Sequence, residues 1–344
     1  MSERKLKRQL KLGQVVMLGT AGAIGAEIFV LTGHAAGMVG PAAVLALLIG
    51  GLLSYSVALN YCELATAYPV TGGAMSYVRE AYGTGLLSYL VGTMDCLSST
   101  FYAALSAVGF AYSLQLLIPG MPLVPTAVAV TVLFVGLSLF GVANVGNVQI
   151  VLGAILLASF AIYAVAGFAL PGGFRWETFS AGSSLLAGRS PGSNLSRILA
   201  TTALMYTSYV GFEVIADDAE EVSNPARNIP RGILISLTVT MLICVTISLV
   251  TLGAVPWQEL AGSETPLTDA AARFIPGWGV LLMGAAGIIA TLTTINSAML
   301  SATREAFTLG RHGVWPAVFS RLNRYRTPWV AILIIGGISA LIAA

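Results

Sequence analysis

The chain has 344 residues, of which 56% are hydrophobic and only 9% are charged, and its formal net charge is +2. A water-soluble domain of this size cannot cover its surface with so little charge, because charged residues make up about a quarter of an ordinary soluble domain. The composition therefore excludes a soluble globular protein and indicates an integral membrane protein.

Apolar stretches of about 20 residues recur along the chain, and each is long enough to cross a hydrocarbon core of about 30 Å. We therefore predict about nine membrane-spanning helices. Their predicted ranges are 14–36, 41–66, 84–117, 123–143, 146–170, 198–217, 231–254, 276–304 and 328–344. The first stretch is too long for a signal peptide and further spans follow it, so it is predicted to remain in the mature protein.

Basic residues indicate the orientation, because cytoplasmic loops carry an excess of Lys and Arg. With a cytoplasmic N-terminus, every Lys and Arg lies inside except Arg175, Arg189, Arg197 and Arg273. This topology explains the basic N-terminal segment, so we expect a multi-pass protein of the cell membrane without a nucleic-acid partner. The oligomeric state stays open.

The scattered cysteines Cys62, Cys96 and Cys244 match no zinc or redox spacing, and His34 and His312 are isolated. Neither a metal site nor a cofactor is therefore predicted. The chain also lacks the H-E-x-x-H and G-x-S-x-G motifs and paired acids at a catalytic spacing. No catalytic residue is predicted, and the chain is not expected to be an enzyme.

The first predicted span contains Gly19, Gly22 and Gly25, and an acid, Glu27, follows directly. Each glycine weakens a helix by roughly 1 kcal/mol relative to alanine. A carboxylate at bilayer depth is costly unless water, a partner or a ligand meets it. A helix that opens to bind a polar ligand would use both features, whereas a plain anchor would use neither.

The sixth predicted span is interrupted as well, since the polar residues 207–209 precede Gly211 and several acids follow from Glu213 onward. Two interrupted spans at corresponding positions of two halves are the best sequence indication of a transporter binding site. Irregular backbone at bilayer depth is tolerated only where it is buried in protein or lines a cavity.

Four segments of the chain form a recognisable series of motifs: Gly22-Ala-Ile-Gly25-Ala-Glu-Ile-Phe29, the segment from Glu63 to Tyr77, Gly211-Phe-Glu213 with the segment from Glu220 to Pro230, and the basic loop from Arg304 to Pro316. In this order they resemble the amino acid–polyamine–organocation (APC) transporter superfamily. The resemblance covers essentially the whole chain. It implies an all-α integral membrane protein with a leucine-transporter-like fold of two inverted five-helix repeats, in which the first and sixth helices are broken.

The resemblance implies a first repeat over residues 1–170, an extracellular linker over 171–197 and an incomplete second repeat over 198–344. The second repeat lacks its fifth member, which predicts a truncated gene or a fragment of a longer transporter. The segment from Pro69 to Tyr77 is expected to form a short re-entrant or interfacial piece.

The resemblance also implies a substrate site between the two breaks. Backbone amides of the first break would bind a substrate carboxylate, and carbonyl groups of the sixth helix would face its ammonium group. The implied substrate-binding residues are Ala23, Ile24, Gly25, Ala26 and Glu27 in the first helix, and Tyr206, Thr207, Ser208, Tyr209 and Gly211 in the sixth.

Glu27 departs from the family pattern, which has glycine at this position, and a charged Glu27 would repel a substrate carboxylate. Four interpretations are open. The side chain could be protonated, since burial disfavours the charged form, or it could contact the ammonium group or a cationic side chain of the substrate. It could instead point away and pair with a basic residue, or be satisfied by backbone amides or water.

Coupling to Na⁺ or H⁺ is the remaining prediction. The fifth span has Leu156 where proton-coupled relatives often carry a lysine, which disfavours a lysine-gated mechanism. Thr293, Thr294 and Ser297 place hydroxyl groups where sodium-coupled relatives bind the ion, although such groups also mediate helix packing. Asp95, an acid in the third predicted span, is a coupling group, a partner of the neighbouring Ser98 or Ser99, or a residue nearer the membrane interface.

Glu63 and Glu213 match family positions near helix ends, where we expect structural or gating roles and pairing with arginines such as Arg79 or Arg227. The leading hypothesis is a secondary active transporter that moves an amino acid or related amine by alternating access. The alternative is a non-transporting sensor or subunit that retains the fold.

Overall fold

The computed structural model describes residues 6–181 and 190–344, and in these ranges the chain forms helices joined by short turns. The α-helices are α1 (Leu12–Ala23), α2 (Glu27–Val39), α3 (Ala42–Ala67), α4 (Gly73–Tyr82), α5 (Leu86–Leu117), α6 (Leu123–Leu139), α7 (Val142–Ala169), α8 (Trp176–Ala181), α9 (Pro191–Met205), α10 (Val214–Asp217), α11 (Pro225–Ala254), α12 (Trp257–Ala261), α13 (Pro266–Phe274), α14 (Gly279–Arg311) and α15 (Trp329–Ile342). Residues 182–189 of the predicted linker, with Arg189, lie outside the described residues, as do Arg4 and Lys5.

The helices are those of a membrane protein. Within the described ranges, five helical segments are long and apolar enough to cross a bilayer, and the pair α1 and α2, bent by 43° at its break, provides a sixth. Two shorter apolar helices, α6 and α15, accompany them. The predicted all-α membrane architecture is therefore confirmed, whereas the count of nine spans and the inverted repeat stay predictions.

Some helices extend beyond their predicted bounds for local reasons. Helix α9 begins at Pro191 rather than at residue 198. The reason is local, because the Ser190 side chain accepts the Ser193 N–H and a proline suits the first helical position. Helix α14 continues past 304 to Arg311. It does so because Arg304 and Glu305 are buried in contact with polar partners rather than exposed at a helix end.

Helix α14 forms the centre of the bundle and packs against α5, α7 and α1. Its residues from Thr293 to Gly310 are buried without interruption. Large apolar side chains point outward on the surrounding helices, for example Leu52, Leu133 and Val165, which are 64%, 62% and 68% exposed. An outward apolar surface around a more polar centre is what a bilayer environment requires.

The two interrupted segments are joined at one end. Just before α1, the N–H groups of Gln9 and Leu10 donate to the Glu221 carbonyl at 2.8 and 2.9 Å, and the Ser223 N–H donates to the Leu10 carbonyl at 2.9 Å. These bonds fix the start of α1 against the turn that follows α10.

Candidate functional site

The first helix is broken at residues 24–26, as predicted. The Ile24 N–H donates to the Thr20 carbonyl and the Gly25 N–H to the Ala23 carbonyl, each at 3.1 Å. Two of the three amides that were predicted to bind a carboxylate are thus paired with backbone carbonyls in this structure.

The Glu27 carboxyl group lies at the start of α2, where the helix dipole favours negative charge. It covers the backbone of Gly25, because a Cβ placed there would collide with Glu27 Oε2 and lie 3.0 Å from Thr294 Oγ1. Among the described residues, Glu27 Oε2 is buried without a hydrogen-bond partner. The ion pairs found in the described ranges do not include Glu27, so the interpretation that it pairs with a basic residue is not supported.

The sixth predicted span is interrupted between α9 and α10. A 3₁₀ turn, Tyr206–Tyr209, follows α9, and residues 210–213 are non-helical. Gly211 has φ = 137°, a backbone conformation that favours glycine, and a Cβ there would lie 2.8 Å from the N and Cα atoms of Ala23. The second break therefore touches the end of α1, and only glycine permits this approach.

The Glu213 side chain stabilises the second break. Its Oε2 accepts the Gly211 N–H at 2.9 Å. The predicted pairing of Glu213 with Arg79 or Arg227 is wrong in this structure, because Arg79 instead contacts Glu80 and His312. A carboxylate that accepts a backbone N–H within an unwound segment supports the irregular backbone there.

A cavity of about 570 Å³ lies between the second break, the end of α1 and the helices α5 and α14. Its described lining residues are Gly22, Asp95, Ser98, Ser99, Phe101, Tyr102, Ala104, Leu105, Val108, Thr207, Val210, Gly211, Glu213, Val214, Ser297, Ala298, Ser301 and Ile342. The lining is mostly apolar, with hydroxyl groups and two acids, Asp95 and Glu213. The size and mixed lining are typical of a small-molecule site.

Three carboxyl groups converge at one end of this cavity. One oxygen each of Asp95, Asp217 and Glu305 lies within 4.8 Å of the other two. The Ser301 Oγ lies 2.5 Å from Asp217 Oδ2 and 3.0 Å from Glu305 Oε1, and Ser99 Oγ lies 3.4 Å from Glu305 Oε1. Because Ser301 carries a single hydroxyl proton, it cannot donate to both carboxyl groups at once. This acid trio therefore calls for a bound proton or cation.

The arginine nearest in sequence to the acid trio pairs with a different acid. Arg304 is fully buried and forms hydrogen bonds with both carboxylate oxygens of Glu221, at 2.7 and 3.1 Å, while Asp218 lies 4.0 Å away. This bidentate pair joins α14 to the segment after α10 and leaves the acid trio without it.

The hydroxyl groups that were predicted to bind sodium serve α14 and its contact with α1. Thr293 and Thr294 both donate to the Ala290 carbonyl of their own helix, at 2.8 and 3.0 Å. Thr294 also lies 3.4 Å from the Gly22 carbonyl, which is a weak contact. Ser297 lines the cavity and donates to the Leu18 carbonyl at 3.2 Å.

A glutamine from α7, which is the fifth predicted span, lies beside these hydroxyl groups. Gln149 Nε2 donates to Ser297 Oγ at 2.9 Å, and its Oε1 accepts from Asn296 at 2.7 Å. Nearby Leu156 is buried and apolar. An amide donor on Ser297 competes with a cation for the same oxygen, so this position is poorly suited to sodium.

The structure gathers only part of the predicted site around the cavity. Thr207 and Gly211 of the predicted substrate residues line it, as do Asp95 and Ser297 of the predicted ion-coupling residues. The others are not among its lining residues: Ala23, Ile24, Gly25, Ala26, Glu27, Tyr206, Ser208, Tyr209, Thr293 and Thr294. Tyr209 packs against α3, where its hydroxyl donates to the Leu47 carbonyl at 2.8 Å.

Tyr102 connects Glu27 to the cavity. It lines the cavity from α5, and its hydroxyl group faces the Glu27 carboxyl group. The sequence analysis did not assign Asp217, Glu305 or Gln149 to the site. Each is an ionisable or amide side chain at the end or in the middle of an apolar span, and this is the feature that could have identified it.

Comparison with known proteins agrees with this architecture. The chain is 26% identical to the branched-chain amino acid permease BcaP of Bacillus subtilis, over 99% of this chain and 76% of that protein. It is 28% identical to the vacuolar cationic amino acid transporter 4 of Arabidopsis thaliana, over 98% of this chain but 58% of the relative. It is 25% identical to the methylthioribose transporter of Bacillus subtilis, over 98% of this chain and 76% of that protein. The chain thus spans between a little over half and three quarters of these relatives.

The family model described as "Amino acid permease" matches residues 14–343. The match includes both breaks, the cavity and the acid trio. This family comprises permeases rather than enzymes, which confirms the expectation that the chain is not an enzyme. Since nearly the whole chain matches, it belongs to the amino acid permease family of the APC superfamily.

Proposed function

We propose that this protein is a secondary active transporter that moves an amino acid or a related amine across a membrane by alternating access. The observation that carries the proposal is the cavity of about 570 Å³ at the meeting point of two broken helices. Broken helices at bilayer depth are the usual construction of a transporter site. A multi-pass location in the cell membrane with a cytoplasmic N-terminus, from the distribution of Lys and Arg, belongs to the same proposal.

The relatives' names point to different substrates. One is named for branched-chain amino acids, another for cationic amino acids and a third for methylthioribose. The family therefore supports transport of small polar solutes, while the lining of this cavity has to select among them.

The acid trio is our candidate for the coupling ion, which is H⁺ or Na⁺. Asp95 lies on α5 and lines the cavity, whereas Asp217 follows the second break and Glu305 lies on α14. A movement of the second break would separate Asp217 from Asp95, and the affinity for a shared cation would change with it. Acids at membrane depth are typical of such ion pathways.

Uptake by the purified chain in proteoliposomes tests the proposal. We expect saturable uptake of an amino acid or amine, and we expect the rate to rise with an imposed proton or sodium gradient. In the Asp95→Asn variant, uptake should no longer depend on the gradient. Glu259→Gln, at an exposed acid that is not among the described lining residues of the cavity, is the matched control and should transport normally. Saturable binding without flux would instead support the alternative, a non-transporting sensor or subunit.

A further inference from the structure

We propose that residues 321–328, the loop that precedes α15, form a binding site for the headgroup of an anionic phospholipid. This loop, here called the arginine loop, carries Arg321, Arg324 and Arg326, and all three residues are exposed. The proposal needs only the membrane setting of the helices and is separate from the identity of the transported solute. It follows from the charge of the loop, from its fixed shape and from the apolar surface beside it.

The sequence around the arginine loop supplies no negative charge. The chain contains no Asp or Glu after Glu305, and the loop contacts the end of α6, which together with α7 contains no charged residue. The ion pairs found in the described ranges include neither Arg321 nor Arg324. Arg324 instead lies over the Tyr325 ring, with Cζ 4.7 Å from the ring centroid. Because guanidinium groups bind phosphate oxygens through parallel N–H donors, these arginines suit a phosphodiester.

Asn323 fixes the shape of the arginine loop. Its Nδ2 donates to the Leu139 carbonyl at the end of α6 at 2.9 Å, and its Oδ1 accepts the N–H groups of Tyr325 and Thr327 at 2.8 and 3.1 Å. Within this frame Arg326 has φ = 62°, a conformation that residues other than glycine rarely adopt. Strained backbone of this kind clusters where proteins hold ligands. The loop therefore presents its arginines from a fixed backbone.

An apolar surface adjoins the arginine loop on α15 and α6, which pack against each other. Trp329, the first residue of α15, is exposed, and so is Leu333 one turn later. Phe140, directly after α6, is also exposed, and its ring lies 5.9 Å from the Tyr325 ring between centroids. Trp and Tyr side chains are enriched where the bilayer meets water. The arginine loop is thus placed at the level of the lipid headgroups, with exposed apolar side chains next to it.

An anionic phospholipid uses both parts of this surface. Its phosphate group would pair with the arginines, and its acyl chains would lie along the exposed side chains of Leu333 and Phe140. A soluble phosphate compound would contact the arginines alone and leave the apolar part without a role. A zwitterionic lipid would bring its own cation toward the arginines, which weakens its attraction to them.

The test measures phosphatidylglycerol binding to the purified full chain in detergent, by native mass spectrometry and by the shift in melting temperature. Phosphatidylglycerol should raise the melting temperature more than phosphatidylcholine with the same acyl chains. The double variant Arg321→Gln with Arg324→Gln should bind phosphatidylglycerol about tenfold more weakly, because each basic side chain adds to the attraction for an anionic lipid. Equal stabilisation of the unmodified chain by the two lipids would overturn the proposal.

The matched control removes the same charge from another part of the surface. Arg227→Gln with Arg231→Gln changes two exposed arginines of α11 that form none of the ion pairs found in the described ranges. This double variant should lose much less affinity for phosphatidylglycerol than the variant of the arginine loop. Equal losses would show that the lipid responds to the total positive charge, and the local site would be refuted.

Two further measurements probe the shape of the loop and the source of the phosphate. Asn323→Ala leaves the net charge unchanged but removes the hydrogen bonds that shape the loop, so phosphatidylglycerol binding should weaken; unchanged affinity would contradict a fixed site. Glycerol 3-phosphate carries the phosphate without acyl chains and should not raise the melting temperature at the concentration at which the lipid does. Equal stabilisation by this compound would identify a soluble phosphate as the ligand and overturn the lipid assignment.

Discussion

The two breaks share a sequence pattern but use it differently. Each has a glycine followed two residues later by glutamate, Gly25 with Glu27 and Gly211 with Glu213. In the second break, the glutamate accepts the N–H of its own glycine at 2.9 Å. In the first, the glutamate lies over the glycine with Oε2 unpaired among the described residues.

The glycines differ in the same way. Gly211 is required by its positive φ and by the backbone of Ala23 at 2.8 Å. Gly25 has no positive φ, and the atoms closest to a Cβ there belong to the side chains of Glu27 and Thr294. The second break is thus fixed by backbone contacts, whereas the first is shaped by side chains. The backbone-fixed break lines the cavity with Val210 and Gly211, whereas the residues of the first break are not among the described lining residues.

The largest expected effect comes from loosening the segment after the second break. Arg304→Met removes one partner of a fully buried ion pair and leaves Glu221 uncompensated, at a cost of about 3–5 kcal/mol. Hydrogen exchange should increase in residues 214–224 and much less in α2, and the melting temperature in detergent should fall. The control is Arg311→Met, which breaks a more exposed pair with Glu220 and should cost about 1 kcal/mol or less. Equal losses in the two variants would show that the buried pair does not hold this segment.

The glycines give the next test. Gly211→Ala introduces a side chain at a positive φ and against the Ala23 backbone, so we expect a loss of about 1–3 kcal/mol from strain alone and weaker ligand binding. Gly25→Ala should cost less, because the end of the Glu27 side chain can move aside, but it should alter ligand preference. Thermal melts with and without ligand measure both effects. The comparison fails if Gly25→Ala is the more destabilising of the two.

The sequence predicts the breaks because their causes are local. Glycine and polar residues in an apolar span weaken a helix wherever they occur, and both breaks form at the predicted residues. The acid trio has no local cause, because Asp95, Asp217 and Glu305 meet only after α5, α10 and α14 have packed together. Tyr209 shows the same limit, since its position depends on the close approach of Gly50 on α3, whose Cβ would lie 3.3 Å from the Tyr209 ring.

The glutamates distinguish the breaks at smaller cost. Glu213→Leu leaves the Gly211 N–H without its acceptor and should destabilise the protein by about 1–2 kcal/mol, whereas Glu213→Gln retains an oxygen acceptor and should be nearly neutral. Glu27→Leu removes an acid whose Oε2 has no hydrogen-bond partner in the described part of the chain, so it should cost less stability than Glu213→Leu. Melting temperatures of the three variants measure these differences in stability. If Glu27→Leu is as costly as Glu213→Leu, both carboxyl groups are structural.

The smallest expected effect is a pH dependence that belongs to neither break. Burial, followed by the cations of Arg79 and Arg311, lowers the pKa of His312 to about 4, while Glu220 and Glu80 oppose the shift. The folded state therefore binds fewer protons at this histidine than the unfolded state, whose pKa is near 6.5. By linkage its contribution to stability is fully present above about pH 6.5 and is lost as the pH falls toward 4. Since the side chain is only partly buried, solvent screening keeps the effect small. His312→Gln should flatten the dependence of melting temperature on pH between 4 and 6.5. An unchanged pH profile in His312→Gln would show that this histidine contributes nothing to it.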